Sequence, residues 1–169
     1  MNINEIIVEE LIDIIVKEIL KKIDENNWKE IKIVGIKSGG VLVANEISKL
    51  LKHKEPPGQL NITYYRDDFN KIGLHPRVEP SKLDFNIENA HVLLVDDVIH
   101  TGRTARAAMN EIFDFGRPKS ITLVNLIDRG QRELPISPDI LGIKIFAPTE
   151  KNIKISGPPL KLELFDTKR

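Results

Sequence analysis

The chain has 169 residues, with 25 basic and 25 acidic side chains, 41 % hydrophobic residues and no cysteine. That length suits one ordinary domain with a real core, and the cancelling charge gives no global field for nucleic acid or an acidic membrane. Lack of cysteine excludes disulfides, thiolate nucleophiles and thiolate metal sites, as befits a reducing cytosol.

MNINEIIVEEL is acidic where a targeting signal would be basic, and no apolar run approaches the roughly 18 residues that span a bilayer. A cytoplasmic address is expected. Val8, Leu11, Ile12, Ile15, Ile19 and Ile23 recur at helical spacing with Glu and Lys opposite, predicting an amphipathic helix over 5–23. EIKIVGI (30–36) predicts a strand, which empties through Lys37, Ser38, Gly39 and Gly40 into a second helix over 41–51. The two glycines either ease a strand-to-helix corner or open an anion site at a helix N-terminus.

LNITYY (60–65) alternates as a strand and ends at Arg66-Asp67-Asp68. The next twenty-odd residues show no sustained period and include Lys71, His75, Arg77 and Lys82. They suit a basic lid over an anion or a solvated hairpin equally. Val92 to Val95 is an apolar run typical of a strand buried on both faces, and it stops at two adjacent carboxylates, Asp96 and Asp97. The chain then turns through His100, Thr101, Gly102, Arg103 and Thr104 into a helix with an apolar stripe at Ala105, Ala108, Met109, Ile112 and Phe113, closed by Gly116 and Pro118. ITLVNLI (121–127) predicts a further strand ending at Asp128-Arg129-Gly130. Residues 131–148 hold several prolines and little period, and 152–155 and 160–164 look like two short closing strands.

Strand ends keep delivering polar chemistry, where open α/β sheets bind ligands. Alternation points successive strand residues to opposite faces, so Asp96 and Asp97 suit a clamp on a sugar diol better than a shared metal ion. The following turn offers N–H groups to a phosphate. Neither GxxxxGK[ST] nor GxGxxG occurs, which argues against nucleoside triphosphates and dinucleotides.

VLLVDDVIHTGRT resembles the signature of type I phosphoribosyltransferases, which use 5-phosphoribosyl-1-pyrophosphate (PRPP). YYRDD, RAAMNEIFDFGRP and LIDRGQRELPI are similar to the bacterial PyrR family, which joins a uracil phosphoribosyltransferase to an RNA-binding regulator of pyrimidine operons. The resemblance is close from about residue 31 to 155. It implies that Asp96 and Asp97 accept from the ribose hydroxyls and that the turn of Val98, Ile99, His100, Thr101, Gly102, Arg103 and Thr104 holds the 5-phosphate. By the same resemblance Lys37, Ser38, Gly39 and Gly40 form the pyrophosphate loop with Arg66 opposite, Asp96, Asp97 and Arg66 being the catalytic set. The loop after Arg66 would be a lid. Mg²⁺ would ride on PRPP oxygens without a protein cage, and Arg129 and Ile153 would contact the nucleotide under a hood formed mainly by 128–169.

Three departures from the family pattern stand out. His100 replaces the Asp typical of 6-oxopurine enzymes, Ser38-Gly39-Gly40 replaces the family's Thr-Arg-Gly after the lysine, and Gln131 replaces the histidine of Arg-Gly-His. The first disfavours purines, the second removes a guanidinium from the pyrophosphate loop, and the third thins the basic surface offered to RNA. The expectation is therefore one α/β domain over 1–169, with a mostly parallel five-stranded sheet, helices on both faces and a small hood, converting PRPP and uracil to UMP and pyrophosphate. The alternatives are a nucleotide-sensing RNA-binding regulator without turnover and an enzyme for another base. A homo-oligomer is expected from the resemblance, with residues 113–115 as a candidate patch.

Overall fold

The computed structural model describes residues 6–62, 79–145 and 151–166. Helix α1 (Val8–Glu25) buries Val8, Leu11, Ile12, Ile15, Val16 and Ile19 along one stripe, the face marked by the apolar spacing. Glu9 and Glu10 in its first turn and Lys22 in its last complement the helix dipole. It stops at Asn26, whose backbone and side-chain N–H groups both donate to the Lys22 carbonyl.

The elements that follow are β1 (Ile31–Ile36), α2 (Gly39–Leu50), β2 (Gly58–Leu60), β3 (His91–Ile99), α3 (Arg103–Phe115), β4 (Ser120–Asp128), β5 (Ile140–Lys144), β6 (Lys151–Ser156) and β7 (Lys161–Asp166). The first five strands form one sheet in the order β2-β1-β3-β4-β5, with every neighbouring pair parallel. Strands β6 and β7 form a separate antiparallel hairpin. Period-two alternation sorts the sheet's side chains. Leu93, Val95, Val124 and Leu126 join α1 and α2 in one apolar cluster, whereas Val92, Leu94 and Leu123 join Ala105, Ala107, Ala108 and Ile112 of α3 in another. Helices therefore cover both faces, as expected.

Three expectations need correcting. The second strand was expected over 60–65 but is Gly58–Leu60, where Gly58, Gln59 and Leu60 pair with Val34, Gly35 and Ile36; residues 63–65 lie outside the described ones. Residues 140–144, expected to be aperiodic and part of the hood, form the edge strand β5, paired through Val124 with Ile140 and Asn125 with Leu141. Strand β3 does not stop at the acidic pair. Asp96 pairs with Asn125, Val98 with Ile127 and Ile99 with Asp128, so Val98 and Ile99 belong to the ladder and the turn is confined to His100, Thr101 and Gly102.

The strand order places β2 on one side of β1 and β3 on the other. Two consecutive connections thus leave β1 and β3 in opposite directions, and a crevice opens beyond their C-terminal ends. Two glycines let α2 begin in that crevice. A Cβ on Gly40 would sit 2.5 Å from the Val95 carbonyl oxygen and 2.9 Å from the Asp96 Cα. A Cβ on Gly39 would instead collide with the Asp97 carboxylate.

At the opposite end of the sheet, Trp28 stacks on His91 with ring centroids 4.6 Å apart, and His91 Nδ1 lies 2.7 Å from Ser120 Oγ. Burial first, and the Lys119 ammonium second, push the His91 imidazole below its usual range. The unfolded chain therefore takes up a proton that the fold resists, so the stability this group contributes is present above the ordinary histidine pKa of about 6.5 and is lost as pH falls through it.

Two outcomes follow from this packing. Emission from Trp28, the sole tryptophan, should quench only below about pH 6.5, with a midpoint lower than that of a free imidazole, and His91→Gln should abolish the transition. In urea unfolding, Gly40→Ala should cost about 1–3 kcal/mol because its backbone neighbours cannot yield. Gly39→Ala, which meets only a rotatable carboxylate, should cost less.

Candidate active site

Three strand ends converge on one cleft of about 500 Å³. From β1 come Lys37, Ser38 and Gly39, and the Lys37–Ser38 peptide is cis. Lys37 N–H donates to the Leu60 carbonyl at 2.9 Å, which fixes the start of the loop against β2. The Lys37 ammonium is 2.6 Å from Glu79 Oε2. That hydrogen bond and charge hold the Glu79 carboxyl below the usual carboxylate range. Helix α2 then starts at Gly39 behind Ser38, which makes no side-chain cap, so the first N–H groups of the helix are left to whatever enters the cleft. Gly40, expected in the same loop, is buried against Val95 and Asp96 and does not line the cleft.

From β3 come Asp96, Asp97, Val98 and Ile99. Asp96 is 6 % exposed and its Oδ1 accepts from the Asp97 N–H at 3.0 Å. Asp97 is half-buried, lies against Gly39, and through Oδ2 accepts from the Ile155 N–H of β6 at 3.4 Å. Both carboxylates thus sit at the mouth of α2, one turned inward and one reaching toward the hairpin. The turn of His100, Thr101 and Gly102 leads into α3, with Arg103, Thr104 and Ala105 completing that wall. Gly102 precedes α3 with φ +92°, a left-handed conformation natural only to glycine, and offers no side-chain cap. A second helix N-terminus therefore opens on the cleft beyond the carboxylates, where the Arg103 N–H donates to Thr101 Oγ1 at 3.3 Å.

From β4 comes Arg129, 3 % exposed, whose N–H donates to the Ile99 carbonyl and whose Nη1 donates to Asn152 Oδ1 at 3.0 Å. Burial pushes its guanidinium pKa down from the ordinary value. Asn152, Ile153 and Lys154 of β6 and Phe165 of β7 close the cleft opposite the sheet. Asp97 and Arg129 hence bond the hairpin to the strand ends.

Of the described residues expected at the site, the structure brings together all except Gly40. Arg66 and the lid residues Lys71, His75 and Arg77 lie outside the described residues. Lys82, also expected in the lid, instead exchanges backbone hydrogen bonds with Gln59 at the sheet edge and pairs with Asp84. The expected donation from the whole turn 98–104 contracts, since Val98 and Ile99 are strand residues.

Sequence reasoning missed Glu133, Asn152, Lys154 and Phe165, which reach the cleft only through tertiary docking, and Asn125. The last is fully buried beside Asp96, and its amide atoms have no hydrogen-bond partner among the described residues. A polar residue inside an apolar strand, ITLVNLI, was its one visible signal. Among the described residues no group of three or more histidine, aspartate or glutamate side chains could hold a metal ion, and no helix is long and apolar enough to cross a membrane.

Residues 4–161 match the model of the phosphoribosyl transferase domain. The chain is 50 % identical over 136 residues to a "Bifunctional protein PyrR" of Pseudomonas syringae pv. syringae, covering 80 % of each chain. It is 46 % identical over 155 residues to the PyrR of Pseudomonas paraeruginosa, covering 91 % of each. Among solved structures it shares its fold with a hypoxanthine-guanine phosphoribosyltransferase of Bacillus anthracis, with a TM-score of 0.66, 20 % identity, and coverage of 89 % of this chain and 84 % of that one. With the phosphoribosyl transferase domain matched over 4–161 and curated relatives at about half identity, the chain belongs to the PyrR family of phosphoribosyltransferases.

Proposed function

We propose that the cleft binds PRPP and uracil and transfers phosphoribose to the base, giving UMP and pyrophosphate. The observation that carries this reading is the order of groups along the cleft: a helix N-terminus at Gly39 that the Ser38 side chain does not cap, two carboxylates, and a second helix N-terminus at Gly102, which has no side chain to cap it. Anion, diol and anion is the order of groups along PRPP. Thr101, Gly102, Arg103 and Thr104, with His100 beside them, would hold the 5-phosphate. Asp96 and Asp97 would accept from the ribose hydroxyls, and Lys37, Ser38 and Gly39 would face the diphosphate. Arg129, Ile153 and Phe165 would meet the base beneath the β6–β7 hood, the chain being one domain.

The donor set fits Mg²⁺, a hard cation that keeps oxygen ligands and is commonly held by one or two carboxylates plus substrate phosphates. Asp96 or Asp97 would be its protein contact. When bound, the ion would offset negative charge gathering on the departing diphosphate. The protein's own part is to orient and stabilise charge. As the bond from the anomeric carbon to the diphosphate lengthens, the sugar becomes cationic beside two carboxylates while Lys37 and the α2 N-terminus face the leaving anion. Uracil N1 then attacks the anomeric carbon as the bond to the diphosphate breaks, its proton passing to the departing diphosphate or to water, and no protein nucleophile is required.

The Lys37 ammonium that would face the diphosphate is already engaged by Glu79. The Glu79 carboxylate therefore competes with substrate, and Gly39 supplies no guanidinium to offset that competition. The bifunctional name of the relatives supports a second role, UMP-dependent binding to a pyrimidine-operon leader RNA. A salt-dependent affinity for such RNA that rises with UMP is its expected sign.

Pyrophosphate release from PRPP and Mg²⁺, with uracil, orotate, adenine, hypoxanthine and xanthine supplied in turn, tests the proposal. Turnover with uracil alone is expected, and turnover with a purine alone would overturn the base assignment. Asp96→Asn combined with Asp97→Asn should keep the fold and lower kcat/KM by about 10²–10³. Unchanged PRPP binding in that variant would refute the diol clamp. Glu79→Gln should lower KM for PRPP by releasing Lys37.

A further inference from the structure

The segment after β4 that follows Gly130 is braced against the turn His100, Thr101 and Gly102 by a set of bonds to which the reaction assigns no part. Arg132 is at their centre. Its Nη1 donates to the His100 carbonyl at 2.6 Å, its Nε donates to the Ile136 carbonyl at 2.8 Å, and its Nη2 is 2.9 Å from Asp128 Oδ2. Both side chains of that ion pair are largely buried, at 20 % and 11 % exposure, so the guanidinium is held in one place. The adjacent carbonyl is fixed by the same segment, since Thr101 O accepts from the N–H groups of Glu133 and Leu134, each at 3.0 Å.

A trans peptide points its C=O and N–H in opposite directions. The peptides joining His100 to Thr101 and Thr101 to Gly102 are trans, since the cis bonds among the described residues lie elsewhere. Holding two successive carbonyls toward residues 132–134 thus turns the Thr101 and Gly102 N–H groups the other way, toward the cleft that these residues line. Neither N–H donates to any described residue. Two adjacent N–H groups aimed at one point form an anion-binding concavity. Arg132 does not itself line the cleft.

We propose that Arg132 is a positioning residue that presets the 5-phosphate site: by fixing the His100 carbonyl, together with the clamp on Thr101, it aims the Thr101 and Gly102 N–H groups at the anion before substrate arrives. This rests on the phosphoribosyl reading above. It assigns to a cation a role opposite to the obvious one, since the guanidinium acts on the phosphate through the backbone and never touches it.

The test titrates the full chain with ribose 5-phosphate and, separately, with magnesium pyrophosphate. In Arg132→Met the affinity for ribose 5-phosphate should fall on the order of 10- to 100-fold, while that for pyrophosphate, held at the other helix N-terminus, stays within twofold. Added methylguanidinium should restore part of the loss, and Arg132→Lys should lie between. A merely structural role would weaken both ligands together, and that result, like equal ribose 5-phosphate binding by the variant and the parent, would overturn the proposal. Should the variant not fold, the ¹⁵N–¹H signals of Thr101 and Gly102 in the unaltered protein decide. They should be among the most shifted at ribose 5-phosphate saturation, and unshifted signals would refute the inference. Failure of the unaltered protein to bind ribose 5-phosphate or UMP at all would sink the phosphoribosyl reading and this inference with it, whereas binding that ignores Arg132 sinks the inference alone.

Discussion

The approach of α2 to the tip of β3 is the constraint on which the site depends. Only a residue without a Cβ fits at Gly40, where the backbone of Val95 and Asp96 passes, and only such a residue leaves room at Gly39 for the Asp97 carboxylate. That contact sets a helix N-terminus beside two carboxylates, an arrangement that would repel the acidic groups' own substrate if the N–H groups were capped from within. They are not, and the partial positive charge of the helix end remains available. The strand order then does the rest: because connections leave β1 and β3 in opposite directions, a crevice opens beyond their ends.

Around this contact the protein has arranged anchors that hold the walls of the cleft in place. Asp97 and Arg129 hold the β6–β7 hairpin over it through Ile155 and Asn152. Residues 131–136 hold the turn at Thr101 from behind. Across that turn, Gln131 meets His100 at 2.9 Å and Glu133 meets Arg103 at 2.6 Å, so the two departures His100 and Gln131 from the family pattern contact one another. The histidine that stands where purine enzymes place an aspartate is thus engaged by a neutral amide. Such preorganisation matters for a reaction whose barrier is mainly one of charge, since dipoles already in place need not reorganise as the sugar becomes cationic.

Much of this was legible in the chain itself. The apolar run 92–95 meeting Asp96 and Asp97 located the centre of the sheet and the centre of the site, because burial on both faces and an abrupt polar end coincide only at a strand tip. The hydrophobic run marked the core, though, and not the ladder. Backbone pairing continues through Ile99 because hydrogen bonds to β4 do not require apolar side chains. Strand β5 escaped notice for a related reason: ILGIK is an edge strand, mostly half-buried, with a glycine at its middle and prolines upstream, so it lacks both alternation and a continuous apolar run. Asn152 and Phe165 could not be found from spacing, since they reach the cleft only after the hairpin docks. Arg132 lies inside LIDRGQRELPI, but a buried arginine that holds a carbonyl looks the same in sequence as one exposed to solvent.

The most direct test of the account is a crystal structure with Mg²⁺ and a non-reactive PRPP analogue. The 5-phosphate should rest on Thr101, Gly102 and Thr104, the ribose hydroxyls on Asp96 and Asp97, and the diphosphate against Lys37 and Gly39, with Glu79 displaced. A sugar bound with its diphosphate at the α3 end, or away from the two carboxylates, would contradict it.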